Sequence, residues 1–345
     1  MVYKVTIIIP SYNSEEFLDS TIKSIMSQTI GFKNIELIII DDYSKDRTPE
    51  IIKDYCSKYD NIKTYESGKK TGTPGRARNI GINNSNGEYI MFLDHDDCYM
   101  KDSVENLYNA ILKNYADVAI GKFQTFGENR IVTEDWIKED VVLNSISENT
   151  FFFSINNVWR MIFPKKFLIE NKITFPEGVF AEDLTFMIDS FLNAKKIVFI
   201  NKIVYNFRLR TGECSSTSLS KGIHYLNGLI DGYVYTYKVL EKNNACKYYD
   251  TIFNQHLSCW LNDLILSNTI TIEEKKELIK KSVPLFKKID NVNPFPENND
   301  IKKIIEVIKT NDLENTYILM EEYKNRFKLA KSRKDKIKEF IKKLI

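Results

Sequence analysis

No apolar run in this chain reaches the roughly 18 residues that a bilayer-spanning helix needs. The opening Met-Val-Tyr-Lys-Val-Thr enters a strand without the basic region, apolar core and cleavage site of a secretory leader. Both absences lead to the expectation of a cytoplasmic protein. Charge of one sign is scarce as well: a net +2 at pH 7 offers no bulk electrostatic case for nucleic acid as a partner. Five cysteines, at 56, 98, 214, 246 and 259, form no metal-type pair and cannot all be bridged, which fits a reducing compartment. No Gly-x-Gly-x-x-Gly follows the first strand, which disfavours a nicotinamide dehydrogenase. Repeats and low-complexity tracts are missing. What is present is 345 residues with 43% hydrophobic content, about two domains by size and enough to bury a full core.

The apolar residues are concentrated in short runs that end in acids. Val5-Thr-Ile-Ile-Ile-Pro10 leads to Pro10-Ser-Tyr-Asn13, after which Phe17, Ile22, Ile25 and Met26 stand at helical spacing behind a cap at Ser14 or Asn13. Ile35-Glu-Leu-Ile-Ile-Ile40 empties into Asp41 and Asp42, and Thr48-Pro49-Glu50, read as an N-cap, a first-turn proline and an early acid, launches a helix toward Tyr59. Ile62 to Glu66 reads as a short third strand. Tyr89-Ile-Met-Phe-Leu93 then delivers Asp94-His95-Asp96-Asp97. Strand, helix, strand, helix predicts an α/β fold with a parallel sheet, and ligands of such sheets bind at the C-terminal strand ends. In an extended segment Asp94 and Asp96 point the same way, so their hard oxygens suit a Mg²⁺ or Mn²⁺ carrying a diphosphate. A plain polar turn after a strand would show the same residues.

These pieces are ordered. Pro10-Ser-Tyr-Asn13, Ile40-Asp-Asp-Tyr-Ser-Lys-Asp46, Gly75-Arg-Ala-Arg-Asn-Ile-Gly81, Asp94-His-Asp96 and Glu182-Asp183 together resemble the family 2 glycosyltransferases, inverting enzymes with the GT-A nucleotide-sugar fold, over residues 3 to about 217. Thr73-Pro-Gly-Arg-Ala-Arg-Asn79 and Phe180-Ala-Glu-Asp-Leu-Thr-Phe186 resemble in particular the bacterial transferases that place N-acetylglucosamine on wall teichoic acid.

The resemblance implies a division of labour. Pro10 and Tyr12 lie beside the nucleotide base, Tyr12 being otherwise a packed loop aromatic, and Asp42 or its neighbour Asp41 meets uracil or ribose. A carboxylate accepts the imide N–H that uracil has and cytosine lacks, so the donor is expected to be a UDP-sugar. Arg76 and Arg78 stand at a helix start suited to phosphate. Being two apart, they cannot both face one ligand squarely. Arg78, which with Asn79 matches the common family form, is favoured for the nucleotide side, the alternative being an ion pair with an acid such as Asp94. Asp94 is assigned to the ribose and Asp96 to the metal. His95 is read as packing, and Asp97 either caps the next helix or orients Asp96. Asp183 matches the catalytic base and Glu182 its partner, although acids in a first turn also cap helices. Arg208 or Arg210, with Ser215 and Ser216, would grip the pyrophosphate. Cys214 stands near where relatives place a metal-binding His, so the cation is expected to rest mainly on Asp96, phosphate and water. Trp159 is read as core in preference to a sugar platform.

From about Ser220 the pattern turns helical. Tyr225, Leu229, Tyr233 and Tyr237, then Phe253, Leu257, Trp260 and Leu264, step at four-residue intervals, read as core. Asn291 to Asp300 reads as a loop or linker. The expected organisation is a GT-A domain at 1–219 and a helical region at 220–345. In the tail, Ile337, Phe340, Ile341, Leu344 and Ile345 make a narrow apolar face on a basic helix at 326–345. Such a helix suits an anionic inner leaflet, and equally a dock on the protein's own helices or a second subunit in a homo-oligomer. The expected function is inverting, metal-dependent transfer from a UDP-sugar to a hydroxyl of a cell-surface glycan such as teichoic acid or capsule, or of its lipid-linked precursor. The alternative is an inactive nucleotide-sugar or glycan-binding module.

Overall fold

The computed structural model describes residues 3–126, 137–209, 222–294 and 296–344, with side chains up to position 330. Packing divides the chain into two compact units: residues 1–215 with 238–244, and 216–237 with 245–345. Residues 238–244 thus group with the first unit, although they were expected in the appendage. Lys242 Nζ and Asn243 Nδ2 reach buried Asp189 at 3.1 and 3.0 Å.

The first unit is an α/β fold on one nine-stranded sheet. Its strands are β1 (Tyr3–Ser11), β2 (Ile35–Asp41), β3 (Ile62–Glu66), β4 (Gly87–Phe92), β5 (Cys98–Tyr99), β6 (Val118–Phe126), β7 (Val141–Leu143), β8 (Met161–Pro164) and β9 (Ile197–Arg208). The order is β3-β2-β1-β4-β8-β6-β9-β5, with β7 also on β9. β3, β2, β1 and β4 are parallel, β8 runs against both β4 and β6, and β6 is parallel to β9. The helices are α1 (Leu18–Met26), α2 (Thr48–Lys58), α3 (Gly75–Asn84), α4 (Ser103–Asn114), α5 (Lys165–Glu170) and α6 (Glu182–Asn193).

The continuous Ile and Leu runs of β1 and β2 are fully buried because helices cover central parallel strands on both faces. Glu36, inside one such run, is buried too. It accepts hydrogen bonds from Thr6 Oγ1, Lys63 Nζ and both nitrogens of Asn86, and these outweigh desolvation to hold its carboxyl below the usual range. Gly81 lets α3 lie against β1, since a Cβ there would meet Ile8 at 2.4 Å. Neither expected cap forms through its side chain. Ser14 starts α1 with its carbonyl, accepting from the Phe17 and Leu18 N–H groups, and Thr48 Oγ1 turns to the Ser14 N–H at 2.7 Å.

The second unit is helical. Helix α7 (Ile223–Lys242) begins in it, and α8 (Tyr249–Leu266), α9 (Ile272–Phe286), α10 (Asn299–Thr310) and α11 (Leu313–Leu344) complete it. On α8, Phe253, Leu257, Trp260 and Leu264 are buried as expected, and Trp260 Nε1 donates to the Leu226 carbonyl. On α7, Tyr233 is buried as expected, while Leu226 and Ile230, each one position beyond Tyr225 and Leu229, are buried in their place and Tyr225, Leu229 and Tyr237 are half-buried. The expected linker is fastened to α8: the Asn291 N–H donates to Asp250 and the Asn293 N–H to Asn254. Among the described residues no helix is long and apolar enough to cross a membrane.

Candidate active site

Parallel β1, β2 and β4 bring Pro10–Ser14, Asp41–Asp42 and Asp94–Asp97 to one edge of the sheet. The loops there are stapled to each other. Asn13, in the left-handed region at φ 46°, donates its N–H to Ser44 Oγ and accepts from the Lys45 N–H. Asp41 accepts from the Ser44 N–H at 3.1 Å. Asp42 is buried and accepts from Ser67 Oγ and the N–H groups of Thr71 and Gly72, so it shapes the loop after β3. Lys70 on that loop donates to the Tyr12 hydroxyl at 2.6 Å, with its ammonium 4.2 Å from the ring centre. Pro10 is buried, and its carbonyl lies 3.2 Å from His95 Nδ1.

The Asp94–Asp97 turn is held from beneath. Thr21 Oγ1 donates to the carbonyls of His95 and Asp97. Asp97 neither caps a helix nor faces solvent: it accepts from the Tyr205 hydroxyl at 2.7 Å and from the Arg208 N–H at 2.6 Å. Burial, then Asp96 and Asp94 beside it, raise its carboxyl well above the usual range. Arg208 Nε donates to the Asp96 carbonyl at 2.7 Å, and its guanidinium lies 5.2 Å from the Phe17 ring centre and 4.6 Å from that of Phe126. The end of β9 therefore closes on the acidic turn. Asp96 is itself buried. Arg210, Ser215, Ser216 and Cys214 lie outside the described residues. Trp159 is buried and stacks on Tyr205, with ring centres 3.9 Å apart.

Arg78 makes the ion pair with Asp94 that stood as the alternative to a nucleotide contact. It is 2% exposed, and its terminal nitrogens face carboxylates of the protein. Nη2 donates to Asp94 at 2.9 Å; Nη1 donates to Glu182 at 3.0 Å and to Asp183. Nε has no hydrogen-bond partner among the described residues, and the guanidinium lies 5.3 Å from the Phe175 ring centre. The side chain ties the acidic turn after β4 to the start of α6. Ala181, at φ 59°, turns the chain so that Glu182 and Asp183 open that helix. One guanidinium facing three carboxylates leaves negative charge in excess. Burial, offset by Arg78 and reinforced by Glu182 and Asp94, pushes the Asp183 carboxyl up to about 8, while a hydrogen bond from the Val158 backbone draws it down. Glu182 is raised as well, mainly by burial against the pull of Arg78. Asp183 remains 18% exposed, open to a reactant.

Arg76 is also engaged within the protein: Nε donates to the Ser67 carbonyl at 2.7 Å and Nη1 to Glu177 at 2.9 Å. Asn79 makes paired bonds with the Phe175 backbone, both 2.9 Å. Helix α3 thus grips the loop before α6, at an approach so close that a Cβ on Gly75 would meet the Pro176 carbonyl at 2.4 Å. The sequence reading missed Thr21, Tyr205 and Glu177 as supports of the site. Their partners lie far away along the chain, and no local pattern marks them.

Residues 6–168 match the family described as Glycosyl transferase family 2. A poly(ribitol-phosphate) beta-N-acetylglucosaminyltransferase, TarP of Staphylococcus aureus, is 34% identical over 243 residues, covering 68% of this chain and 72% of the relative. A poly(ribitol-phosphate) beta-glucosyltransferase of Bacillus spizizenii is 29% identical over 321 residues, 90% of this chain and 49% of the relative. The glycosyltransferase GlyA of Streptococcus pneumoniae is 32% identical over 235 residues, 65% of this chain and 33% of the relative. The chain thus spans a third to a half of the length of these last two. Among solved structures, residues 1–349 of S. aureus TarS in complex with UDP-GlcNAc share the fold, with a TM-score of 0.76 at 23% identity over 93% of this chain and 92% of that one.

Proposed function

The chain belongs to Glycosyl transferase family 2 and is a glycosyltransferase; from that premise we propose that it moves a sugar from a UDP-sugar, UDP-GlcNAc in the first instance, to a hydroxyl of a bacterial surface polymer with inversion. Poly(ribitol phosphate) is the acceptor that the names of its relatives favour, and other surface glycans or their lipid-linked precursors are the broader class. One observation carries the reading. Asp183 is a partly exposed carboxyl, raised to about 8, held at the sheet edge where Asp94 and Asp96 also stand.

Asp183 takes the proton of the acceptor hydroxyl as its oxygen attacks the anomeric carbon; the bond from that carbon to the UDP oxygen breaks, and UDP leaves with the electron pair. One base and one displacement invert the centre. A base with its pKa near the working pH combines availability with proton affinity. Asp94, fixed by Arg78, borders the donor, and Asp41, Asp42 and Tyr12 frame the base end.

Among the described residues no three His, Cys, Asp or Glu side chains converge on a cation site. Asp96 as the main protein ligand fits Mg²⁺ or Mn²⁺, which keeps phosphate and water in most of its shell. When bound, the ion would offset charge on the leaving UDP. A panel of UDP-sugars scored by thermal shift with Mn²⁺, followed by UDP release with poly(ribitol phosphate), tests the proposal. A donor should raise the melting temperature by mass action and be turned over, with EDTA reducing both effects. Loss of binding across the whole panel would remove the UDP-sugar reading, and indifference to EDTA would remove the metal.

A further inference from the structure

We propose that Arg78 is a positioning residue that locks the base Asp183 to the donor-side Asp94 through one planar guanidinium, an inference that rests on the transfer reading above. Three observations support it. The side chain is 2% exposed, so a ligand has almost no access to it. Its two terminal nitrogens are divided, Nη2 to Asp94 after β4 and Nη1 to Glu182 and Asp183 at the start of α6. Phe175 covers the guanidinium, and the Phe175 backbone is fixed in turn by Asn79, one residue along the same helix.

A guanidinium is a rigid fork, whereas an ammonium is a point charge on a flexible stem. Two carboxylates bound to separate arms of one plane keep their spacing, because moving either one breaks a charge-assisted bond in a nearly dry site. Lys at 78 would keep the charge and lose the span. Among the described residues, the charged groups that act on Asp183 are Arg78 on α3, Glu182 on its own helix and Asp94 on the turn after β4. Arg78 is the cation among them, so it also favours the ionised base.

The test uses Arg78→Lys and Arg78→Gln in the full chain. Hydrogen exchange should rise in residues 178–186 in both variants and stay unchanged in β1 and β2, which reports a folded protein with a released base loop. With UDP-GlcNAc as donor, Arg78→Lys should lower kcat by about 100-fold, the scale of a misplaced catalytic group, with KM for the donor and affinity for UDP held within about threefold. In Arg78→Gln the acid limb of the rate profile should also move to higher pH, because the cation is gone. UDP affinity falling by the same factor as kcat/KM would make Arg78 a nucleotide contact and overturn the proposal. Unchanged exchange at 178–186 would overturn it as well. Absence of turnover by the wild-type protein with every UDP-sugar would sink the transfer reading alone, since the exchange experiment still decides whether Arg78 positions the loop.

Discussion

Asp183 carries two opposed costs, one in stability and one in rate, and both are set by its neighbours. Its carboxyl is raised from 3.8 to about 8, chiefly by burial and against the pull of Arg78. The folded state therefore holds the proton more tightly than the unfolded chain. The contribution to stability is complete below pH ~4 and is lost progressively as pH rises to about 8, by at most ~1.4 kcal/mol per pH unit for one group. Asp183→Asn mimics the protonated form and removes this slope. The melting temperature of the variant minus that of wild type should grow from pH 6 to 8 and level off above. A difference that stays flat over that range would refute the raised carboxyl. The same substitution should keep UDP binding and lower transfer by about 10²- to 10⁴-fold, the usual worth of a general base. Transfer within a few fold of wild type would remove Asp183 as base.

Helix α3 connects the donor side to the base side twice, through buried Arg78 and through half-exposed Arg76. Arg76 joins the Ser67 carbonyl to Glu177, linking the loop after β3 to the loop before α6. Exposed pairs of this kind couple by up to ~1 kcal/mol. Arg76→Ala and Glu177→Ala should each cost a few fold in kcat/KM for the donor, and the double variant should lose less than the product of the two. Strictly multiplicative losses would show that the pair does not act as a unit. At this scale the sequence was informative in some places and silent in others. β1, β2 and β4 were legible because near-continuous apolar runs between turn residues mark buried parallel strands, and β3 because after the buried Ile62 it alternates between half-buried and exposed positions up to Glu66. β5, β7 and β8 were not, since pieces of two to four residues have no periodicity and exist through pairing with β9, β4 and β6. Glu36 was hidden for the opposite reason: it lies in an apolar run, and its partners Thr6, Lys63 and Asn86 converge only on folding. The acids of the site stood out by residue type. The role of Arg78 did not, because spacing alone cannot decide which of two arginines turns inward.

At the scale of the whole molecule, the last helix bears on where the protein works. The first half of α11 is docked on its own unit: Leu319, Met320 and Tyr323 are buried, the Tyr323 hydroxyl donates to Asn262 Oδ1 at 2.9 Å, and Arg326 pairs with Asp300 at 3.0 Å. Phe327 and Leu329 are already exposed. Beyond them the sequence alone speaks. Between Arg326 and Lys343 there are nine Lys or Arg against Asp335 and Glu339, and apolar residues recur at 337, 340, 341, 344 and 345. A basic amphipathic helix gains about 1 kcal/mol per cation at an anionic surface, plus the burial of its apolar face. Truncation after Leu329 keeps the docked half, so its melting temperature should stay within a few degrees of full length. Full-length protein should sediment with vesicles containing anionic lipid and be released by salt, whereas the truncated protein should stay in the supernatant. Equal pelleting of the two would rule out the membrane role. A smaller oligomer after truncation, with no vesicle binding by either form, would instead assign the apolar face to a second copy of the chain.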